Sequence, residues 1–212
     1  MQNPEQISGH LKLYYGPMYA GKSSRLMADL TRYADLEHRV LYINHKDDIR
    51  ETKGDEKFST HSSQYHGLSQ KITAVKLSTL VDVDVKDFDV IGVDEVQFFT
   101  GIIEPVKKWV RDMHKTVICA GLDGDSLRQP IGEILQLVPF ADKSKKVQAV
   151  CQPCLMEKKS HVPRIIHAPF TACIAGLPGK NEGGKKVGGI DTYAAMCRYQ
   201  YEKHIAGCGG KD

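Results

Sequence analysis

A glycine-framed loop between an apolar run and an amphipathic segment constrains the fold of this chain most strongly. The loop extends from Gly16 through four residues to Gly21, and Lys22 and Ser23 follow directly. Glycines at this spacing let backbone N–H groups turn toward phosphate oxygens, and a helix that begins after them adds the positive end of its dipole. The pattern therefore predicts a phosphate-binding loop, for which an ordinary glycine turn is the alternative.

Apolar periodicity on both sides of the loop predicts alternating strands and helices. The run HLKLYYG is typical of a buried strand, whereas KSSRLMADLTRYADLEHR has apolar residues at near-helical spacing. Further strands are predicted at residues 39–44, at Val90 to Val93 and in KTVICAGLDGD, and a helix is predicted in GIIEPVKKWVRDMH with Pro105 near its first turn. This order is typical of an α/β fold of the P-loop NTPase, RecA-like class, with a parallel sheet and helices on both of its faces.

The character of the sequence changes near residue 146. Residues 9–145 carry the alternating pattern, whereas residues 146–212 begin with a Cys151-x2-Cys154 pair and continue through a glycine-rich stretch to Cys197. A cysteine pair at this spacing is one half of a tetrahedral zinc site. We therefore expect an α/β core domain at 9–145 and a small zinc-binding domain at 146–212.

Composition and charge restrict the partners and the location of the chain. The 212 residues carry 29 Lys and Arg against 26 Asp and Glu, and a formal net charge of +3 is too slight to favour nucleic acid as a partner. No apolar run approaches the roughly 18 residues of a membrane span, and MQNPEQISGH lacks the pattern of a signal peptide. Six cysteines without a secretion signal favour a reducing, cytoplasmic location, with metal binding or free thiols rather than disulfides.

Two acids, Asp94 and Glu95, follow the strand predicted at Val90 to Val93. Asp94 is placed to hold Mg²⁺ together with the hydroxyl of Ser23, as a strand-end acid does in P-loop proteins. Glu95 would activate water in an ATPase but would take a proton from a substrate hydroxyl in a kinase. The spacing alone does not choose between these reactions, and a solvated carboxylate is the alternative for Glu95.

Several motifs together resemble one known family. GPMYAGKSS followed by DEVQFF is similar to the corresponding runs of the type II thymidine kinases, the cytosolic, bacterial and viral type. The resemblance continues through DIR, STH, VICAGLDGD, AVCQPC and GGIDTYAAMCR, and it spans about residues 11–200. It implies ATP-dependent phosphorylation of the 5′-hydroxyl of thymidine, or of deoxyuridine, in nucleotide salvage.

The resemblance also implies a role for individual residues. Glu95 matches the general base, and Arg50 matches an arginine near the transferred phosphoryl group, with Asp48 alongside; an arginine there would stabilise charge in the transition state. The expected contacts to ATP and Mg²⁺ come from Gly16, Pro17, Met18, Tyr19, Ala20, Gly21, Lys22, Ser23, Ser24, Asp94 and Gln97, of which Ser23 and Asp94 hold Mg²⁺. The expected contacts to the nucleoside come from Met18, Phe98, Leu122, Thr171, Val187 and Tyr193.

The family further implies a zinc-stapled lasso over the nucleoside, a homotetramer and feedback inhibition by dTTP. The lasso would extend from about Thr171 to Tyr193. Position 200, where a fourth zinc ligand is expected, holds Gln, which is a poor ligand for zinc. The favoured ligand set is Cys151, Cys154, Cys197 and His204, with Cys208 as the other candidate and a chain without zinc as the third possibility.

Two positions depart from the family in the expected base pocket. Ser126 and Ile131 stand where the family usually carries aromatic residues. Losing two rings removes flat apolar surface, and an aromatic pair contributes roughly 0.5–1.5 kcal/mol beyond its burial. The strictness for thymidine therefore stays open, and so do a P-loop ATPase and a catalytically altered nucleotide-binding relative with another nucleoside preference.

Overall fold

The computed structural model describes residues 8–48, 71–157, 165–175 and 191–208. Its strands are β1 (His10–Gly16), β2 (Val40–His45), β3 (Ile72–Leu77), β4 (Val90–Val93), β5 (Thr116–Leu122), β6 (Lys143–Lys146), β7 (Ala149–Val150), β8 (His167–Ala168), β9 (Phe170–Cys173) and β10 (Tyr193–Met196). Its helices are α1 (Lys22–Asp35), α2 (Ile103–Arg111), α3 (Gln152–Met156) and α4 (Arg198–Cys208), and two 3₁₀ helices span Val96–Phe98 and Ile134–Phe140.

Six strands form one sheet in the order β3-β2-β4-β5-β1-β6. Strand β2 pairs in parallel with β3 and with β4, and β4 pairs in parallel with β5. Four of the six strands were predicted from apolar runs, and the predicted α/β fold with a parallel sheet is confirmed. The phosphate loop follows β1, and Asp94 and Glu95 follow β4.

The two long helices of the core lie on opposite faces of the sheet. On one face, a Cβ added to Gly92 would lie 2.4 Å from Leu30 Cδ1 of α1, so α1 packs directly on β4. On the other face, Trp109 of α2 shares a hydrophobic cluster with Ile91 and Val93. Successive strand residues point to opposite faces, so the alternation within β4 assigns one helix to each side.

Local signals explain where these helices begin. Helix α1 starts at Lys22 directly after Gly21, whose φ of 71° is a left-handed conformation that favours glycine. Helix α2 starts at Ile103, and the carboxylate of Glu133 accepts the backbone N–H groups of Gly101 and Ile102 at 3.1 and 2.8 Å. An acid at the first turn of a helix satisfies orphaned donors and complements the helix dipole.

The chain forms two compact units. We call the first the core unit; it takes the described residues of Met1–Tyr15, Lys22–Gly121 and Gly132–Lys145. We call the other the second unit; it takes those of Gly16–Gly21, Leu122–Ile131 and Lys146–Asp212. In the second unit β9 pairs antiparallel with β10, β7 pairs antiparallel with β8, and a small cluster of Ala172, Ala194, Met196 and Tyr201 is buried.

The helices in the described part of the chain are all too short or too polar to cross a membrane.

Candidate active site and metal site

Asp94 accepts hydrogen bonds on both of its carboxylate oxygens. Its side chain is 1% exposed, and its Oδ1 accepts hydrogen bonds from Ser23 Oγ at 3.1 Å and from the backbone N–H of Glu95 at 2.9 Å. The Tyr42 hydroxyl donates to Oδ2 at 3.1 Å. A hydroxyl and a carboxylate held this close are the oxygen donors that P-loop proteins offer to Mg²⁺. The residues present therefore fit the expected Mg²⁺ site.

Glu95 has an unusual backbone conformation. Its φ of 49° and ψ of 41° are left-handed, and it is the residue that precedes the 3₁₀ helix Val96–Phe98. A residue with a Cβ pays roughly 1–2 kcal/mol for this conformation. Its side chain is only 7% exposed, and Oε2 accepts a hydrogen bond from Gln97 Nε2. A strained backbone that presents a buried, hydrogen-bonded carboxylate is typical of a functional position.

Gln97 is held in a space that two glycines leave open. A Cβ added to Gly121 would lie 2.9 Å from Gln97 Oε1, and one added to Gly132 would lie 2.7 Å from Gln97 Cα. Gly132 also has a φ of 63°, which favours glycine. The two glycines therefore fix where the Gln97 side chain can lie, and Gln97 in turn fixes one oxygen of Glu95.

The second strand adds two polar residues that the sequence analysis missed. Tyr42 and Asn44 are both 0% exposed and lie on the same face of β2. Asn44 Nδ2 donates to Asp48 Oδ2 at 3.0 Å, and the Asp48 side chain is 4% exposed. Two polar side chains spaced by two among the apolar residues of this strand were the signal that could have found them.

The remaining residues predicted for the core unit differ in their burial. Lys22 is the first residue of α1 and is 8% exposed. Phe98 is half-buried, and its ring centroid lies 5.7 Å from that of His45. Ser24 is exposed. Arg50 lies outside the described residues, so its predicted role stays a prediction.

The phosphate loop, residues 16–21, belongs to the second unit. Gly16, Tyr19 and Gly21 have φ values of 145°, 62° and 71°, and a Cβ on Gly16 would lie 2.2 Å from the carbonyl oxygen of Val147. Pro17 and Ala20 are buried. The backbone N–H of Met18 donates to Thr171 Oγ1 at 3.0 Å. Thr171, predicted to contact the nucleoside, therefore also fixes the backbone of the phosphate loop.

Other nucleoside-binding predictions also fall in the second unit. Tyr193 begins β10 and is 5% exposed, and Leu122 ends β5 and is half-buried. Ser126 and Ile131, which replace the family's aromatic residues, are buried. The Ser126 carbonyl oxygen accepts the Tyr201 hydroxyl at 2.8 Å. Val187 lies outside the described residues.

Three cysteines come together in the second unit. The sulfurs of Cys151, Cys154 and Cys197 all lie within 4.8 Å of one another, and the Sγ atoms of Cys154 and Cys197 are 3.8 Å apart. A tetrahedral zinc site with Zn–S bonds of about 2.3 Å requires sulfurs about 3.8 Å apart. The three thiols therefore fit zinc.

The structure does not bring His204 to this cluster, which corrects the predicted ligand set. His204 Nε2 lies 2.8 Å from the carbonyl oxygen of Cys173. Cys197 directly precedes α4, and a rise of about 1.5 Å per residue puts His204 about 10 Å farther along that helix. Cys208, the last residue of α4, is farther still along the axis. The spacing argument failed because it ignored the helix between the ligands.

The thiol of Cys197 lies at the beginning of α4. Burial raises its pKa, but hydrogen bonds from the backbone N–H groups of Gln200 and Tyr199, together with those from Cys151 and Cys154, outweigh burial and lower the pKa. Backbone donors at a helix N-terminus favour a thiolate. A lowered thiol pKa suits a metal ligand, since the thiolate is the form that binds.

The chain is a P-loop protein of the nucleotide-binding class. Three features define it as such: the phosphate loop between a strand and a helix, the acids that follow β4, and the parallel sheet. The family model described as "Thymidine kinase" matches residues 9–201. The chain belongs to the thymidine kinase family, and it is therefore a kinase.

Individual relatives agree with this assignment. The chain is 34% identical over 193 residues to the thymidine kinase of Variola virus, which covers 91% of this chain and 97% of the relative. It is 32% identical over 207 residues to the cytosolic thymidine kinase of Homo sapiens, which covers 97% of this chain and 78% of the relative. Among solved structures, the flagellar accessory protein FlaH from Methanocaldococcus jannaschii aligns with a TM-score of 0.44 and 13% identity, over 66% of this chain and 71% of that one.

Proposed function

We propose that the chain transfers the γ-phosphoryl group of ATP to the 5′-hydroxyl of thymidine and forms dTMP, with deoxyuridine as a second acceptor. The proposal is carried by the cluster of Ser23, Asp94 and Glu95 in a member of the thymidine kinase family. The phosphate-binding half of this cluster is common to many P-loop proteins. The buried Glu95 is the part that suits a kinase, because a hydroxyl acceptor needs a base.

Glu95 acts as the general base in this proposal. Its carboxylate accepts the proton of the 5′-hydroxyl as the oxygen attacks phosphorus, and Gln97 holds the other carboxylate oxygen in place. Because the side chain is buried, it meets little competing water. Exclusion of water is what separates a kinase from an ATPase.

Lys22, Ser23 and Asp94 handle the triphosphate. The Lys22 ammonium neutralises phosphate oxygens, and residues 16–21, Ser24 and Gln97 are assigned to the nucleotide as the family implies. Ser23 Oγ and an Asp94 oxygen would hold Mg²⁺, which when bound neutralises charge on the phosphates. Tyr42 keeps the Asp94 carboxylate in one orientation through its hydrogen bond to Oδ2.

The nucleoside is assigned to the residues that the family implies. Phe98 offers an aromatic face for the pyrimidine, and Met18, Leu122, Thr171, Val187 and Tyr193 are assigned to base and sugar. Arg50, with Asp48 beside it in sequence, is assigned to the transferred phosphoryl group. Zinc at the three cysteines is assigned a structural role. A cytoplasmic homotetramer that dTTP inhibits completes the proposal by analogy with the family.

One coupled assay tests the function. Protein, ATP and Mg²⁺ are incubated with thymidine, with deoxyuridine and with no nucleoside, and both ADP and the nucleoside monophosphate are followed. We expect ADP only when a nucleoside is present, in equal amount to the monophosphate. ADP formed without nucleoside would identify an ATPase, and tight ATP binding without any turnover would identify a nucleotide-binding relative. Either result would overturn the proposal.

A further inference from the structure

Gln200 lies beside the three cysteines, at the position where the resemblance implies a fourth zinc ligand. It lies three residues after Cys197, one turn into α4, and is 6% exposed. Its side chain hydrogen-bonds to Cys154, and its backbone N–H hydrogen-bonds to Cys197. Gln200 thus contacts two of the three proposed zinc ligands, one through its side chain and the other through its backbone.

We infer that the metal site of this chain is a three-thiolate zinc site in which the neutral amide of Gln200 stands at the fourth position, in place of a fourth thiolate or an imidazole. The inference rests on the zinc assignment made above. The proposed site has strong donors at three of its four positions, whereas a closed structural zinc site has them at all four. Zinc should therefore be held less tightly and exchange more readily than in a closed site.

Within the described part of the chain, the geometry leaves the fourth position to Gln200. The sulfurs of Cys151, Cys154 and Cys197 lie within 4.8 Å of one another, and the 3.8 Å between Cys154 and Cys197 equals one edge of a tetrahedral zinc–thiolate site. Cys151 is fixed as well, because the backbone N–H of Cys197 donates to its sulfur at 3.2 Å. His204 contacts the carbonyl oxygen of Cys173 instead and lies about 10 Å along the helix from Cys197.

Chemistry explains why Gln200 makes a weak fourth partner. Zinc sites in proteins use thiolate, imidazole and carboxylate ligands, and structural sites fill all four positions with them. A neutral amide brings no negative charge, and the Gln200 amide is already hydrogen-bonded to the Cys154 sulfur. A stronger donor introduced at position 200 starts in the right place and needs no change in the fold.

Substitutions at position 200 test the inference. Gln200→Cys and Gln200→His are prepared together with Gln129→His, which changes an exposed residue of the same unit and serves as the control. Zinc affinity is measured on the full chain by competition with a chromophoric chelator. We expect the Cys and His variants to bind zinc at least about tenfold more tightly than the natural chain, since they close the site. Gln129→His should leave the affinity unchanged.

Cobalt substitution counts the thiolates directly. The intensity of the thiolate-to-cobalt charge-transfer band of the Co²⁺-loaded chain should correspond to three thiolates. In Gln200→Cys this intensity should rise by about one third, because a fourth thiolate is added. These readouts do not use catalysis, so their failure is separate from failure of the kinase proposal. Wild-type chain that binds neither zinc nor Co²⁺ would overturn both the zinc assignment and this inference.

Three further variants can overturn the inference by revealing another ligand. His161 lies outside the described residues and is tested together with His204 and Cys208. His161→Ala, His204→Ala and Cys208→Ala should each keep zinc affinity within about threefold of the natural chain, whereas loss of a true ligand costs far more. A tenfold or greater loss in any folded variant would assign the fourth position to that residue. Unchanged affinity in both Gln200→Cys and Gln200→His would show that Gln200 is not at the fourth position.

Discussion

Tyr42 donates its hydroxyl hydrogen bond to Asp94 Oδ2 at 3.1 Å, and both side chains are almost fully removed from solvent. The bond joins neighbouring strands β2 and β4 at the end of the sheet where the acids lie. With Oδ2 held in this way, Oδ1 faces Ser23 and the backbone of Glu95. The orientation of the acid assigned to Mg²⁺ thus depends on a tyrosine in the adjacent strand.

Tyr42→Phe should weaken the response to Mg²⁺. A hydrogen bond to a charged group contributes roughly 1.5–3 kcal/mol, so we expect the Mg²⁺ concentration for half-maximal rate to rise by about tenfold. Initial rates at fixed ATP and varied Mg²⁺ give the Mg²⁺ concentration for half-maximal rate. The affinity for ADP, measured with and without Mg²⁺, tests the same effect without turnover. Tyr14→Phe is the matched control, because Tyr14 donates an equivalent bond to Asp29 at 2.8 Å. Equal shifts in both variants would contradict a specific role for Tyr42.

Glu95→Gln should abolish most turnover while leaving substrate binding nearly intact. The amide keeps the size of the side chain but cannot accept the proton of the attacking hydroxyl, so we expect kcat to fall by roughly 10²–10⁴. Thymidine and ATP affinities are measured by calorimetry on the same preparation. Glu104→Gln, an exposed acid on α2, should behave like the natural chain. A kcat within a factor of about three of wild type would remove Glu95 as the base.

Gly132→Ala should destabilise the core unit more than Gly101→Ala does. Both glycines have left-handed φ values, 63° and 67°, so both variants carry a similar backbone strain of roughly 1–2 kcal/mol. Only at Gly132 does the new Cβ also meet Gln97, at 2.7 Å from Cα, whereas nothing lies within 4 Å at Gly101. Overpacking adds roughly 1–3 kcal/mol. Urea denaturation measures the difference, and equal midpoints would refute the close contact with Gln97.

Asp89→Asn should cost a little stability near neutral pH and nothing in strong acid. Hydrogen bonds from the Arg39 side chain and backbone lower the pKa of Asp89 to about 2. The folded pKa is below the unfolded value of about 3.9, so this stabilisation is full above about pH 4 and is lost as the pH falls through 2. Both partners are more than a third exposed, which limits the effect to less than about 1 kcal/mol.

Denaturation of wild type and Asp89→Asn between pH 7 and pH 2 measures this dependence. The difference in unfolding free energy should shrink steadily below pH 4. Asp87→Asn removes an exposed acid two residues away and serves as the control. A difference that stays constant to pH 2 would mean that Asp89 acts through packing and not through its charge.

The sequence predicted the elements that carry strong periodicity or a motif. Strand β1, helix α1 and the acids after β4 were found because a buried strand, an amphipathic helix and a phosphate loop each leave a pattern that survives without tertiary context. Strand β6 was missed because its residues, KSKK, are all exposed and show no alternation. Strand β3 was missed because it lies at the other edge of the sheet, where burial is incomplete.

The site was predictable to the extent that local spacing decides it. Ser23, Asp94 and Glu95 come together as the motif requires, since strand ends and a helix start meet at one edge of the sheet. Spacing draws attention to Tyr42 and to position 200, but it does not reveal their hydrogen-bond partners, because these follow from which side chain faces which neighbour in the folded chain. His204 was wrong for the same reason, since the helix separates it from the sulfurs.

The left-handed backbone at Glu95 has a consequence for how the chain can change over time. In the proposed mechanism, Glu95 both lowers the free energy of unfolding and accepts the proton of the substrate hydroxyl. Replacement by a residue that tolerates this conformation would relieve strain but remove the base. Selection for stability and selection for turnover therefore oppose each other at this one position. Other residues of the core unit must offset the strain at Glu95.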